Sequence, residues 1–375
     1  MLSFKPDTKL QKSLKILQGH LAEVSASLNS LSTNERQYLN KCALISNVGA
    51  STRIENAILT DIEIEWVDTT LSEDGKTTAF EEKKAMILDK LSRDRERSIE
   101  EVIGCRDVML TIYQQASELF PLTEMSLRGL HHDLLRHYPP AANYAGQYKQ
   151  TENRVVSTNH ATGEQLTVLE PTPPGVMTEL AMQELVTWYN ETIHDAPWPL
   201  LTATEFVFRF LAIHPFQDGN GRLGRALFLL ALLQSNDQYL TMITPYIAID
   251  RHIEQNKAQY YKVLHDCSGG KFHTDPGEYH YDALAQYLIT IVRRAIDDID
   301  IYRTRYTNQQ KLSENAIVVL AVFKARPEKR LKIADIEKNT NIPRRTIQYT
   351  LRVLVEKQFL QKLGAGPSSR YQLVF

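Results

Sequence analysis

Ile213-His214-Pro215-Phe216-Gln217-Asp218-Gly219-Asn220-Gly221-Arg222-Leu223-Gly224-Arg225 is the stretch from which the rest of the chain is best read. It gathers a titratable imidazole, a carboxylate suited to a hard cation, two glycines bracketing an amide, and two guanidinium groups. Upstream, Thr202 to Leu211 places Phe206, Val207, Phe210 and Leu211 at helical spacing, and downstream Leu223 to Leu233 is an almost unbroken apolar run. That pattern predicts a helix, a short loop and a second helix. The loop ends at a helix N-terminus, where the amides of Gly219, Asn220 and Gly221 can form an anion-binding concavity reinforced by the helix dipole. Glycine reaches the positive φ such a concavity needs at low cost. The string therefore predicts a polyphosphate site. A plainer reading is a turn after a helix, with His214 a satisfied core residue. That reading leaves Asn220, Arg222 and Arg225 at their fixed offsets unexplained.

The remaining composition bounds the answer. A chain of 375 residues that is 43% hydrophobic can build two or three folded domains. Its formal charge of −2 argues against wholesale coating of nucleic acid or membrane, while leaving a local basic patch open. Cys42, Cys105 and Cys267 have no C-x-x-C spacing, so neither a disulfide framework nor a structural zinc is expected, and a reducing compartment suits them. The N-terminus lacks an apolar signal core and no run approaches about 20 apolar residues, so a cytoplasmic protein without a membrane partner is expected.

Working outward, residues 8 to 60 read as helices, with Leu14, Leu17, Leu21 and Val24 at helical spacing and Asn34 as the cap of a second segment. Thr69 to Thr78 reads as a loop, Phe80 to Gln115 as two helices and Ser126 to His137 as another. Val155-Val156 and Leu166 to Leu169, around the turn signal Asn159 to Gly163, predict a β-hairpin. Helices resume from Met177 to about Arg305. The last residues differ in kind: three helices (Asn315–Lys324, Ile333–Asn339, Arg344–Lys357) precede a strand, a Gly-Pro-Ser turn and a strand. This order resembles a winged helix-turn-helix, with Arg344, Arg345, Tyr349 and Arg352 along its third helix and Lys362 and Arg370 on the wing. DNA binding and protein contact both remain open for it. The fold expected is mainly α, divided into an N-terminal helical region (1–110), a central core (111–306) and the C-terminal module (312–375).

The string His-Pro-Phe-x-Asp-Gly-Asn-Gly-Arg resembles, without substitution, the motif of the Fic (filamentation induced by cyclic AMP) family of adenylyltransferases. The resemblance implies a helical Fic bundle with a β-hairpin flap and transfer of AMP from ATP to a Ser, Thr or Tyr hydroxyl of a protein, including the enzyme itself. It makes His214 the catalytic base and Asp218 the Mg²⁺ ligand. Gly219, Asn220, Gly221, Arg222, Leu223, Gly224 and Arg225 then form the nucleotide site, joined by Val155, Val156, Ser157 and Thr158 of the flap and Tyr260, with Tyr261 beside it. A Doc-like kinase, which resembles this motif but carries a lysine where Gly221 stands, is disfavoured. Ser51-Thr52-Arg53-Ile54-Glu55-Asn56 matches the family's inhibitory pattern, [Ser/Thr]-x-x-x-Glu-[Gly/Asn]; on a helix Ser51 and Glu55 share a face. By resemblance Glu55 pairs with Arg225 and holds the enzyme off, and Ser51, Glu55 and Asn56 are the inhibitory residues. AMP removal, a nucleotide-sensing transcription regulator and homodimerisation stay open alternatives.

Overall fold

The computed structural model describes residues 1–72, 79–158 and 165–375. Helix α1 (Thr8–Asn29) starts on Asp7, whose carboxylate accepts the Leu10 N–H at 2.6 Å, and it buries Leu10, Leu14, Leu17, Leu21 and Leu28. Helix α2 (Thr33–Ile54) starts two residues earlier than expected. Its cap is Ser32, which accepts the Glu35 N–H at 3.2 Å, so Asn34 lies inside the first turn. Helix α3 (Asp61–Leu71) was not anticipated, although Thr60 and Glu63 form a reciprocal capping box and Ile64, Val67 and Leu71 are buried. Thr69 and Thr70 are thus helical, and the rest of the expected loop, 73–78, lies outside the described residues. Then follow α4 (Phe80–Leu91), α5 (Glu96–Gln115) and α6 (Glu124–Leu135). Strands β1 (Val155–Thr158) and β2 (Gln165–Leu169) pair antiparallel, Val155 opposite Leu169 and Thr158 opposite Gln165. This is the expected hairpin; its turn, 159–164, lies outside the described residues.

Helices continue as α7 (Val176–Thr192), α8 (Pro199–Ile213), α9 (Asn220–Leu233), α10 (Gln238–Ile243), α11 (Ile249–Gln255), α12 (Lys257–Ser268) and α13 (Tyr281–Gln310). The chain closes with α14 (Glu314–Lys324), α15 (Ile333–Glu337), α16 (Arg344–Glu356) and the hairpin β3 (Leu360–Leu363) and β4 (Arg370–Leu373). The protein is mostly helical, as the periodicity predicts. No helix among the described residues is long and apolar enough to cross a membrane.

These elements form two compact bodies: residues 1–57 with 100–299, and residues 58–99 with 300–375. At the centre of the first, α8 is buried along its whole length and packs on α9. A Cβ at Gly224 would stand 3.0 Å from Leu211 Cδ2, so the glycine permits the close approach of the two helices. Phe206 and Phe210 of α8 are fully buried, each contributing about 2 kcal/mol of apolar transfer. The second body has its own core, in which Ile62 of α3 joins Val319, Phe323, Ile347, Leu351 and Phe359. There a short bridge between Leu331 and Tyr371 extends the β3–β4 hairpin. That residues 58–99 group with the C-terminal residues is not apparent from chain order.

Candidate active site

Helix α8 ends where the sequence requires. Pro215 removes an N–H and disfavours the helical region for the residue before it, and His214 takes the left-handed conformation, φ 51°. Gly219 is also left-handed, φ 80°, and α9 begins immediately after it without a side-chain cap. The first backbone bond of α9 runs from Leu223 N–H to Gly219 C=O at 2.9 Å. The amides of Asn220, Gly221 and Arg222 precede it and stand where a helix offers its N–H groups to an anion.

The loop between the helices is tied down from several sides. Asn220 Oδ1 accepts the Phe216 N–H at 2.9 Å while its Nδ2 donates to the Phe216 carbonyl at 2.7 Å, so this side chain builds the loop. Asn153 Nδ2 donates to the same carbonyl at 2.9 Å. The Lys149 N–H donates to Pro215 C=O at 2.8 Å, and its Nζ donates to Ile213 C=O and Asn153 Oδ1 at 3.1 and 2.9 Å. Lys149 is 2% exposed, and burial pushes its amine down to about 8. His131, fully buried, stacks on Phe216 with ring centroids 3.8 Å apart. Its Nδ1 accepts the Gly146 N–H at 2.9 Å, which leaves Nε2 protonated and donating to Asp218 C=O at 2.9 Å. Burial holds this imidazole neutral, its pKa down to about 4.

His214 opens onto a cavity of about 280 Å³ lined also by Glu55, Asn153, Val155, Val156, Asp218, Asn220, Arg222, Arg225 and Tyr260. Its Nδ1 donates to Leu211 C=O at 3.3 Å, which leaves Nε2 as the proton acceptor. Burial first, and Lys149 second, press the imidazole down to about 4, against the opposing pull of Glu55 and Asp218. The ring is therefore unprotonated at neutral pH. Arg222 is 2% exposed and sits between two carboxylates, its Nη1 4.0 Å from Glu101 Oε1 and its Nη2 3.5 Å from Asp218 Oδ1.

Arg225 is engaged through Nε and Nη2. Its Nε donates to Ser51 Oγ at 2.9 Å, and its Nη2 donates to Ser51 C=O at 2.8 Å and to Glu55 Oε1 at 3.0 Å. Burial works against its charge, but Glu55 and the buried Asp250, with Oδ2 4.0 Å from Nε, outweigh it and raise its pKa. Burial pushes Asp250 up to about 6 against the pull of Arg225. The Glu55 carboxylate lies against Gly221, where any Cβ would collide with it.

Of the residues singled out from the sequence, His214, Asp218, Gly219, Asn220, Gly221, Arg222, Arg225, Glu55, Val155, Val156 and Tyr260 line one cavity. Ser51 lies behind Arg225. Ser157 and Thr158 continue β1. Leu223 and Gly224 are buried but do not line the cavity; Gly224 packs against Leu211 of α8. Asn56, exposed at φ 75°, ends α2 just beyond Glu55. Lys149, Asn153, His131 and Asp250 were missed; they lie far from the motif in sequence and belong to no local pattern.

Residues 121–232 match the model of the Fic/DOC family. The chain accordingly contains a Fic domain in that segment. It is 25% identical to Protein adenylyltransferase Fic of Drosophila grimshawi over 194 residues, and 25% identical to that of Drosophila ananassae over 198. These matches cover 51% and 52% of this chain, and the chain spans about a third (35%) of the length of either relative. Among solved structures, a Fic family protein from Desulfovibrio desulfuricans G20 aligns over 99% of this chain and 98% of its own at 19% identity, TM-score 0.53. A Fic domain containing signaling protein from Bacteroides thetaiotaomicron aligns over 76% of this chain and 97% of its own at 24% identity, TM-score 0.54. These likenesses show a shared fold.

Proposed function

We propose that this chain transfers AMP from ATP to a hydroxyl of a protein and is held off by Glu55. One observation carries the proposal: His214, Asp218, Asn220, Arg222 and the uncapped N-terminus of α9 line one cavity, which Glu55 also enters. A phosphate there would accept from the first amides of α9 and pair with the Arg222 guanidinium. The neutral His214 imidazole, with Nε2 available, suits the base that takes the acceptor proton as the hydroxyl oxygen bonds to the α-phosphorus and pyrophosphate leaves.

Asp218, with 42% of its side chain exposed at the cavity edge, is the residue that would hold Mg²⁺. Among the described residues no cluster of three or more His, Cys, Asp or Glu could hold a metal, so phosphate oxygens and water would complete the shell. The ion would supply charge neutralisation on the phosphate oxygens. The pairing edge of β1 not taken by β2 suits an extended target segment laid beside it, which would present the hydroxyl to His214. Glu55 acts as the brake by occupying the phosphate seat with its own carboxylate and by engaging Arg225. We read residues 312–375 as a winged helix-turn-helix.

The test is transfer of label from α-³²P-ATP with Mg²⁺ to the protein itself and to lysate proteins, in Glu55→Gly with and without His214→Ala. Label in the first and none in the second, with Mg-ATP binding retained in both, is the expected result. No label in Glu55→Gly, or equal label in the two, overturns the assignment.

A further inference from the structure

Residues 312–375 hold twelve Lys and Arg against five Asp and Glu, in a chain whose overall formal charge is −2. The module is thus a concentrated positive region in an otherwise acidic protein, and the excess has a direction. Ile347, Leu351 and Leu354 of α16 point into the core, while Arg345, Gln348, Tyr349 and Arg352 are exposed, at the i, i+3, i+4 and i+7 positions of one stripe. Lys362 of β3 and Arg370 of β4 are exposed as well. None of the four cations Arg345, Arg352, Lys362 and Arg370 makes an ion pair or hydrogen bond among the described residues. Arg344 is different: it is tied to Glu337 at 2.6 Å.

Two details set this apart from an ordinary solvated face. The first turn of α16 holds two arginines and no acidic residue, opposite to what the helix dipole favours. Tyr349 presents a large ring, 66% exposed, between the two unpaired arginines. Neither feature helps the module to fold; both suit a polyanion carrying flat, partly apolar edges. A helix of this length fits a major groove, with the hairpin flanking it on the phosphates.

We propose that the C-terminal module binds duplex DNA, with Arg345, Gln348, Tyr349 and Arg352 of α16 facing the major groove and Lys362 and Arg370 holding the backbone. The inference is independent of the transfer reaction and stands or falls on its own. Charge decides for DNA over a protein partner: the exposed stripe has cations at both ends and no carboxylate between them.

The test is fluorescence anisotropy of a labelled mixed-sequence duplex titrated with the full-length protein. Any DNA-binding protein shows sequence-independent binding at low salt, and two phosphate contacts give a log–log salt slope of about −1.8, so affinity should fall on the order of tenfold between about 50 and 200 mM salt. Arg345→Glu with Arg352→Glu should weaken binding at low salt by at least about tenfold while leaving the melting curve unchanged, since both positions are exposed. If that pair disturbs melting, Lys362→Glu with Arg370→Glu gives the same test from the hairpin. Absence of saturable binding at low salt, salt-independent binding, or full binding by both folded charge-reversed proteins overturns the proposal. Sedimentation showing self-association that the α16 variant abolishes, without duplex binding, also overturns it in favour of a protein interface.

Discussion

Glu55 Oε1 lies 3.0 Å from Arg225 Nη2 while the same carboxylate rests on Gly221, at the first turn of α9. One acidic group thus does two things: it pairs with a guanidinium, and it stands against the first turn of α9, where the helix dipole favours a negative charge. Helix α2 ends at Ile54 with Glu55 as its cap, and Asn56 then turns the chain away in the left-handed conformation.

Replacing Glu55 with glycine should open both positions. Its side chain is 34% exposed and Arg225 keeps Ser51 and Asp250, so the fold should lose at most about 1 kcal/mol. AMP transfer should rise by tens-fold or more, equivalent to roughly 2 kcal/mol of barrier or population shift. Adding Arg225→Ala should return it to a low level. Labelled-ATP transfer with one fixed acceptor measures both steps, and equal rates for the parent and Glu55→Gly would remove the brake.

The pH profile of the unbraked protein follows from the burial of His214. An ordinary imidazole would lose its function as a base on acidification through pH 6.5, but this one is held down to about 4. For Glu55→Gly, kcat/KM, which reports the free enzyme, should therefore show no acid limb near 6.5 and decline only well below 5.5. Removing Glu55 removes a group that favours the protonated ring, so the limb should move no higher. A limb centred near 6.5 would mean that His214 titrates as a solvated residue.

Much of this site was legible because its parts are close in sequence. His214 to Arg225 span a helix end, a tight loop and a helix start, and the spacing of Pro215, Gly219 and the following apolar run specifies all three. Ser51 and Glu55 were legible for the same reason, one helical turn apart. Other features obey no local rule. His131 and Lys149 brace the loop from distant segments, and neither stands in a pattern that marks a loop support. Helix α3 carries its capping box in plain view, Thr60-Asp61-Ile62-Glu63, yet helix was expected only as far as residue 60 and a loop from Thr69. Leu223 and Gly224 belong to the same string but do not line the cavity, since a helical string turns its successive side chains in different directions.

Lys149 offers a test of the loop support that does not need catalysis. Its amine is buried beneath the loop, bonded to a carbonyl and an amide oxygen and to no carboxylate, and its pKa falls from 10.5 to about 8. The sign follows from the direction of the shift. The folded state binds this proton less tightly than the unfolded chain does, so the charged form weakens the fold at every pH below about 8, and the penalty fades as pH rises from 8 towards 10.5. Between about pH 7.5 and 9.5 this group alone should add roughly 2 kcal/mol of stability, a gain of which Lys149→Met should show none. The comparison must stop near pH 9.5, because buried tyrosines such as Tyr189, kept neutral by the fold, oppose the trend once the unfolded chain begins to ionise near pH 10. Urea midpoints of the parent and of Lys149→Met across that window provide the measurement. Parallel curves would show that Lys149 keeps its proton without cost, and that the Ile213 carbonyl and Asn153 stabilise the ammonium as well as water does.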